Sequence, residues 1–384
     1  MALLRHLMTL ILICGERASI FEKINSVTRM DAENMPSMKD SLGDFVGDKY
    51  ITEIDLSKGY WQIPLAEKAK QYTAFATPQG LMQFKCICFG MKTACATFIR
   101  LMRRVLSGLN KTDCYFDNIY IHTKTFADHL VHLRNLLERL RLHGLTAGPP
   151  KCHFAYPQIE RLGFMIGNDT LSMIPSRIEA ISKLPPPQNK KQLRSLLGTV
   201  SFYRKFIPDM ATLTSPLTKL LKKFSPNKFE LDDKQLQLFN YIKCKLINAP
   251  ILKLPDHSKV FYLRTDASDT GLGAMLLQKH DDILMPVAYA SRLLKPAEIN
   301  YSVIERELLA FVWAVLKFKF YLYGREFIVQ SNHSPLTSLN KMKNDNDRLM
   351  RWSLSLQPYA YSVDFIKGSD NVGADLLSRC VAES

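Results

Sequence analysis

The apolar positions of this chain fall into two periods. Phe126, Leu130, Leu133, Leu137 and Leu140 recur at spacings of four and three residues, which places them on one face of a packed helix that Gly144 should stop. A second helix is predicted over 303–318, with Ile304, Leu308, Phe311, Val312 and Val315 inward and Glu305 and Glu307 riding on it. β-Branched and aromatic residues dominate Tyr50–Leu56, Cys114–His122 and Lys259–Thr265, which read as strands, and Leu7–Cys14 reads as a buried strand. Gly148-Pro149-Pro150, Pro185-Pro186-Pro187, Pro250 and Pro255 punctuate the chain. They suggest a front domain to about residue 160, a middle segment, and a back domain from about 256. No repeat of 20 to 50 residues is visible.

Length and charge sharpen this division. A chain of 384 residues with 47% hydrophobic content can fill two or three cores, which excludes disorder as its main state. The net charge of +15 lies entirely in the first 255 residues, and 183–253 alone supply ten of those charges. A polyanionic partner, most often nucleic acid, is the natural reading of such clustering; solubility alone is the alternative. The eight cysteines form no paired C-x-x-C sets and suit a reducing compartment, so an intracellular protein, cytoplasmic or nuclear, is expected. No apolar run reaches the ~18 residues needed to span a bilayer, so no membrane partner is expected. No feature sets an oligomeric state.

Three aspartates lie in or at the ends of the predicted strands: Asp55, Asp117 and Asp266. Carboxylates at sheet ends suit a shared metal site, but strand-ending aspartates are also common turn formers. His129 and His132, and Cys86 and Cys88, are the other candidate ligand pairs; each also reads as an ordinary structural pair.

Longer stretches carry a resemblance. "ITEIDLSKGYWQIPL" from Ile51, "TAFATPQG" from Thr73, "CFGMKTACATF" from Cys88 and "CYFDNIYIHT" from Cys114 resemble the reverse transcriptase of gypsy-type LTR retrotransposons. "KCHF" from Lys151, "RLGFMIG" from Arg161, "QLRSLLGTVSFYRKFI" from Gln192 and "SPLTKLLKK" from Ser215 continue the match in order. "RTDASDTGLGAMLLQ" from Arg264, "NYSVIERELLAFVWA" from Asn300, "SNHSPL" from Ser331 and "NVGADLLSR" from Asn371 look like the ribonuclease H domain that follows.

The resemblance implies an α/β and α+β multidomain fold: a polymerase palm with thumb and connection, then a ribonuclease H-like α/β domain. On this division 1–22 is an atypical N-terminus with the fingers largely missing, 23–160 the palm and partial fingers, 161–255 a basic thumb/connection and linker, and 256–384 the ribonuclease H-like domain. A truncated or re-spliced start is the expectation for the first segment, and a fragment of a longer polyprotein is an alternative. The implied cofactor is Mg²⁺ or Mn²⁺, two per active site, because phosphoryl transfer uses paired hard cations gripped by carboxylates. The implied partners are an RNA template, a DNA primer, RNA–DNA hybrid and deoxynucleoside triphosphates.

By resemblance, the polymerase carboxylates fall on Asp55, Asp117 and position 118, and the nuclease carboxylates on Asp266, Glu307, position 332 and Asp375. Both series are broken, by Asn118 and Asn332. An asparagine keeps one neutral oxygen but removes a full charge beside two dications. Tyr60 matches the side chain that lies under the sugar and excludes a 2′-hydroxyl, with a core tyrosine as the plain alternative, and Phe89 with Gly90 resembles the loop beneath the template base pair. Lys151, Arg204, Lys205, Lys219, Lys222 and Lys223 lie in segments that the family lays along the duplex backbone. "EKINSVT" from Glu22 aligns with a fingers strand, where Glu22 would replace a triphosphate-binding arginine. Two functions follow: an RNA-directed DNA polymerase with ribonuclease H activity, impaired at both centres, or a non-catalytic remnant or domesticated retroelement protein that still binds RNA–DNA hybrid.

Overall fold

The computed structural model describes residues 21–31, 33, 42–331 and 347–366. The strand expected at Leu7–Cys14, and the positions Asn332 and Asp375, lie outside the described residues. The chain divides into two compact units, 1–159 and 160–384. No helix among the described residues is long and apolar enough to cross a membrane.

The first unit opens with a short helix, α1 (Glu22–Val27), followed by β1 (Tyr50–Asp55), the hairpin β2 (Phe75–Thr77) and β3 (Gly80–Met82), and α2 (Ala94–Leu106). Then come β4 (Thr112–Tyr115), β5 (Asn118–Thr123), α3 (Phe126–Leu142) and β6 (His153–Tyr156). Strands β4, β5, β1 and β6 form one antiparallel sheet in that order. Ile54, Ile119 and Ile121 share a core with Phe98 and Met102 of α2 and Leu136 and Leu140 of α3. Because side chains alternate along a strand, helices on the Ile54 face leave Glu53 and Asp55 on the other.

Two sequence expectations are corrected in this unit. The strand expected over Cys114–His122 is a hairpin: Tyr115 pairs with Asn118, and Phe116, at φ +53, turns the chain in the left-handed region that aromatic residues rarely adopt. Helix α3 forms and Gly144 stands just beyond its cap at φ +66 as expected, but the buried face is rotated. Phe126, Leu130 and Leu137 are exposed, while His129, Leu136 and Leu140 are buried. The cause is polar: His129 is held between the hydroxyls of Thr52, 2.6 Å from Nε2, and Thr123, 3.0 Å from Nδ1. Those two bonds fix which face meets the sheet, and they assign His129 a structural role.

The second unit begins with a sheet of β7 (Gln158–Arg161), β8 (Phe164–Gly167), β9 (Thr170–Met173) and β10 (Leu252–Lys253). Helices α4 (Pro175–Ser182), α5 (Lys190–Phe202), α6 (Met210–Lys219) and α7 (Asp233–Ile247) lie between β9 and β10 in the chain. A five-stranded mixed sheet follows, built from β11 (Phe261–Ala267), β12 (Gly271–His280) and β13 (Ile283–Leu293), with α8 (Val303–Lys317), β14 (Glu326–Ser331), α9 (Asp347–Leu356) and β15 (Ala360–Phe365). Its order is β13-β12-β11-β14-β15; the first two pairings are antiparallel and the last two parallel. Ser302 and Glu305 form a capping box that starts α8, and Leu308, Phe311, Val312 and Val315 are buried as the periodicity predicts. Ile304 is the exception: it lies in the first turn, exposed.

Candidate functional site

Register brings the polymerase candidates together. Asp55 ends β1 directly opposite Asn118, the first residue of β5, and Asp117 sits in the turn that precedes it. Backbone bonds lock the junction: the amide of Leu56 donates to the Asp117 carbonyl at 2.9 Å, and that of Gly148 to the Asp55 carbonyl at 2.8 Å. Gly59 lies beneath, where a Cβ would come within 3.0 Å of Phe98 and 3.4 Å of the Asp117 Cβ. The close approach of this turn to Asp117 therefore depends on a residue without a side chain.

Asn118 is engaged as an amide. Its Nδ2 donates to Glu53 Oε1 at 2.8 Å, and Tyr120 Oη donates to the same oxygen at 3.0 Å. Exchanging the amide atoms would set an oxygen against the carboxylate, so this orientation is the one electrostatics selects. Asn118 Oδ1 is left buried with no hydrogen-bond partner. Two carboxylates beside an orphaned neutral oxygen are a donor set that fits a hard divalent cation. Among the described residues, however, no group of three or more His, Cys, Asp or Glu side chains is placed to hold a metal. Asp55, Asp117 and Asn118 would hold Mg²⁺ or Mn²⁺ with two charges where three carboxylates would give three.

The sequence reading missed Glu53. Its signal was present in the alternation of "ITEID": Glu53 stands two residues before Asp55 and so shares its face. Lys151 also belongs here, with Nζ 3.7 Å from Asp55 Oδ2 and its side chain largely in solvent.

Tyr60 and Phe89 meet beside this centre. Their rings cross edge to face at 5.3 Å, and Tyr60 makes a second such contact with Phe98 at 5.2 Å. The Tyr60 hydroxyl lies 3.1 Å from Cys95 Sγ. Burial first, then the Cys95 thiol and the Asp117 charge, push the Tyr60 phenol upward, so it is neutral at physiological pH. The segment expected as a fingers strand is helix α1, with Glu22 in its first turn. Asn25 of α1 explains its placement, since it donates to the Gly90 carbonyl at 2.7 Å and accepts from the Lys92 amide at 2.8 Å.

The basic candidates of the second unit separate into two groups. Arg204 donates to the Ser291 carbonyl at 3.0 Å, and Lys205 Nζ lies 3.7 Å from the centre of the Phe164 ring, so both make internal contacts. Lys219, Lys222 and Lys223 are exposed. Lys219 and Lys222 line a cleft of about 710 Å³ between α5, α6 and β13, together with Arg204, Arg292, Thr214 and Ser291.

In the five-stranded sheet, Asp266 lies near the end of β11 at 4% exposure, and Glu307 is buried on α8 at 6%. Glu305, its neighbour, is instead occupied by the capping box and by Arg348 at 2.9 Å. Position 332 follows directly on β14, whose pairing to β11 runs from Phe327 to Gln330.

An antiparallel sheet with carboxylates at one end, followed by a mixed sheet with an aspartate on its first strand, is the arrangement that the resemblance implies for a palm and a ribonuclease H-like domain. Family models agree: residues 10–166 match "Reverse transcriptase (RNA-dependent DNA polymerase)" and 256–359 match "RNase H-like domain found in reverse transcriptase". The Retrovirus-related Pol polyprotein from transposon 297 of Drosophila melanogaster is 37% identical over 368 residues, covering 94% of this chain and 34% of that protein. The Transposon Tf2-7 polyprotein of Schizosaccharomyces pombe is 32% identical over 371 residues, covering 95% and 28%. The chain thus belongs to the gypsy-type LTR retrotransposon Pol family as a reverse transcriptase/ribonuclease H segment, spanning about a third of these relatives. The foamy viral protease-reverse transcriptase solved with dsDNA shares the fold at a TM-score of 0.82 and 23% identity, over 90% of this chain and 74% of that one. The same protein solved with RNA/DNA hybrid gives 0.78 at 22% identity, over 91% and 48%.

Proposed function

We propose that this chain binds RNA–DNA hybrid and template–primer, and that its RNA-directed DNA polymerase centre is catalytically impaired by Asn118. One observation carries the reading: the asparagine opposite Asp55 is committed through its amide to Glu53, which occupies the side chain where a third carboxylate would face the cations. A divalent cation there supplies charge neutralisation during phosphoryl transfer. The chain's own residues do the rest. Asp55 and Asp117 would hold the ion, Tyr60 would lie under the sugar and exclude a 2′-hydroxyl, Phe89 would lie beneath the template base pair, and the exposed lysines would track the backbone. Losing one anionic ligand at a cost of several kcal/mol slows the step by roughly a thousandfold, at ~1.4 kcal/mol per decade. Asn332, by its place in the sequence, would weaken the ribonuclease H-like site in the same way.

A second reading, an active polymerase and ribonuclease H, is favoured by the unpartnered Oδ1 of Asn118, which remains able to ligate. Hybrid binding tests the first reading. Affinity in the range of about 0.1–10 μM that weakens steeply with salt supports it. Absent or salt-independent binding contradicts it, and primer extension on an RNA template above a blank supports the second.

A further inference from the structure

Phe224, in the loop between α6 and α7, is 95% exposed, the highest value of any large apolar side chain among the described residues. The loop that carries it is pinned to the start of α5 on both sides of the ring. Before the ring, Lys190 Nζ donates to the Lys222 carbonyl at 2.8 Å, and the Ser225 amide donates to the same carbonyl at 3.2 Å. After it, the Lys190 amide, which α5 itself cannot satisfy, donates to the Asn227 carbonyl at 3.0 Å. Lys228 bridges to Asn189, and the Phe229 amide donates to the Gln188 carbonyl at 3.1 Å. Lys190 is buried, so an ammonium that could have faced water is spent on holding this turn.

The charge around the ring has one sign. Residues 210–229 contain Lys219, Lys222, Lys223 and Lys228 and no acid. All four lysines are exposed, and none forms an ion pair among the described residues. A solvent-facing aromatic ring set among unneutralised cations matches one nucleotide unit, with a π-face for the base and ammonium groups for the phosphates on either side. Holding the ring in place beforehand lowers the ordering cost of that contact.

We propose that Phe224 stacks on an unpaired base of single-stranded RNA next to the hybrid, while Lys222, Lys223 and Lys228 engage the flanking phosphates. The inference rests on the reading of this chain as a hybrid binder and adds a single-strand contact to it. Phe224 has no polar atom beyond its backbone, so the contact is indifferent to sequence. It lies between the matched segments 10–166 and 256–359, where neither family model reaches.

Filter binding of the full chain to blunt RNA–DNA hybrid, and to the same hybrid with a single-stranded RNA overhang, tests this. Phe224→Ala should weaken binding to the overhang substrate at least about fivefold and leave blunt hybrid unchanged. Phe224→Tyr should keep the affinity, and Phe224→Trp should keep it and show fluorescence quenching by the overhang alone. The side chain is in water, so thermal unfolding of Phe224→Ala should match that of the parent. If the parent binds both substrates and Phe224→Ala weakens neither, the stacking role is overturned and the hybrid reading stands. An equal loss on both substrates overturns the assignment to an unpaired base. If the parent binds neither substrate, the inference and the reading beneath it both fall.

Discussion

Asp55 and Asn118 face each other across antiparallel strands, and the Asn118 amide bridges to Glu53, two residues before Asp55 on the same face. The pair accounts for an asparagine at this point: its NH₂ satisfies a carboxylate that a second carboxylate would repel. Asn118→Asp should therefore lower stability by about 1–3 kcal/mol when no divalent ion is present. Thermal unfolding in chelator at pH 8 checks this. Adding Glu53→Gln should recover most of the loss, because the glutamine can donate to the new carboxylate.

Tyr60 is held at both ends, by Phe89 and Phe98 on its ring and by Cys95 at its hydroxyl. With Tyr60 proposed as the sugar gate, Cys95→Ala should lower the preference for deoxyribonucleotides over ribonucleotides several-fold, and Cys95→Ser should preserve it. Primer extension in Mn²⁺ with each nucleotide class measures the ratio. An unchanged ratio in Cys95→Ala removes the thiol from the positioning of the gate.

A buried dyad anchors the opposite end of the palm sheet. His122 Nδ1 lies 2.6 Å from Asp48 Oδ2, and Lys111 Nζ lies 3.2 Å from the same oxygen. Burial alone would raise the Asp48 carboxyl, but the bonds and charges of His122 and Lys111 together outweigh it and hold the group below its ordinary value. A depressed carboxylate contributes stability that is full above the unfolded value near 3.9 and is lost as pH falls through the lower folded value. Asp48→Asn should cost about 1.5–3 kcal/mol at pH 7 and flatten the acid limb of the stability curve below about pH 4. Denaturant unfolding across that range reads both effects.

The lysines of the second unit should behave unequally. Lys219→Ala and Lys222→Ala should each reduce the slope of log affinity for hybrid against log salt by about 1, equally across sequences. Arg204→Ala and Lys205→Ala should act mainly on stability, because their side chains are engaged with Ser291 and Phe164. Filter binding at several salt concentrations, beside thermal unfolding, separates the two classes.

Much of this was legible in the chain. The strand before Asp55 and the two long helices follow from period and composition, because burial imposes those patterns directly, while the order of the motifs follows from the resemblance alone. The hairpin at Phe116 was not legible, since an aromatic at positive φ violates the usual turn chemistry and the run Cys114–His122 reads as continuous strand. The rotation of α3 escaped for a different reason. Apolar spacing favours Leu130 and Leu137, while two threonine hydroxyls captured His129, a tertiary preference that no local window contains. Glu53 was overlooked because its importance comes from the partner opposite.

The central claim is that the polymerase centre lacks one negative group because position 118 is an asparagine, whose amide is tied to Glu53. Primer extension on an RNA template in Mn²⁺, comparing the purified chain with its Asn118→Asp, Glu53→Gln variant, tests it most directly. The account predicts little product from the chain itself and at least about a tenfold gain in the double variant. Efficient extension by the unaltered chain, with no gain in the variant, would contradict it.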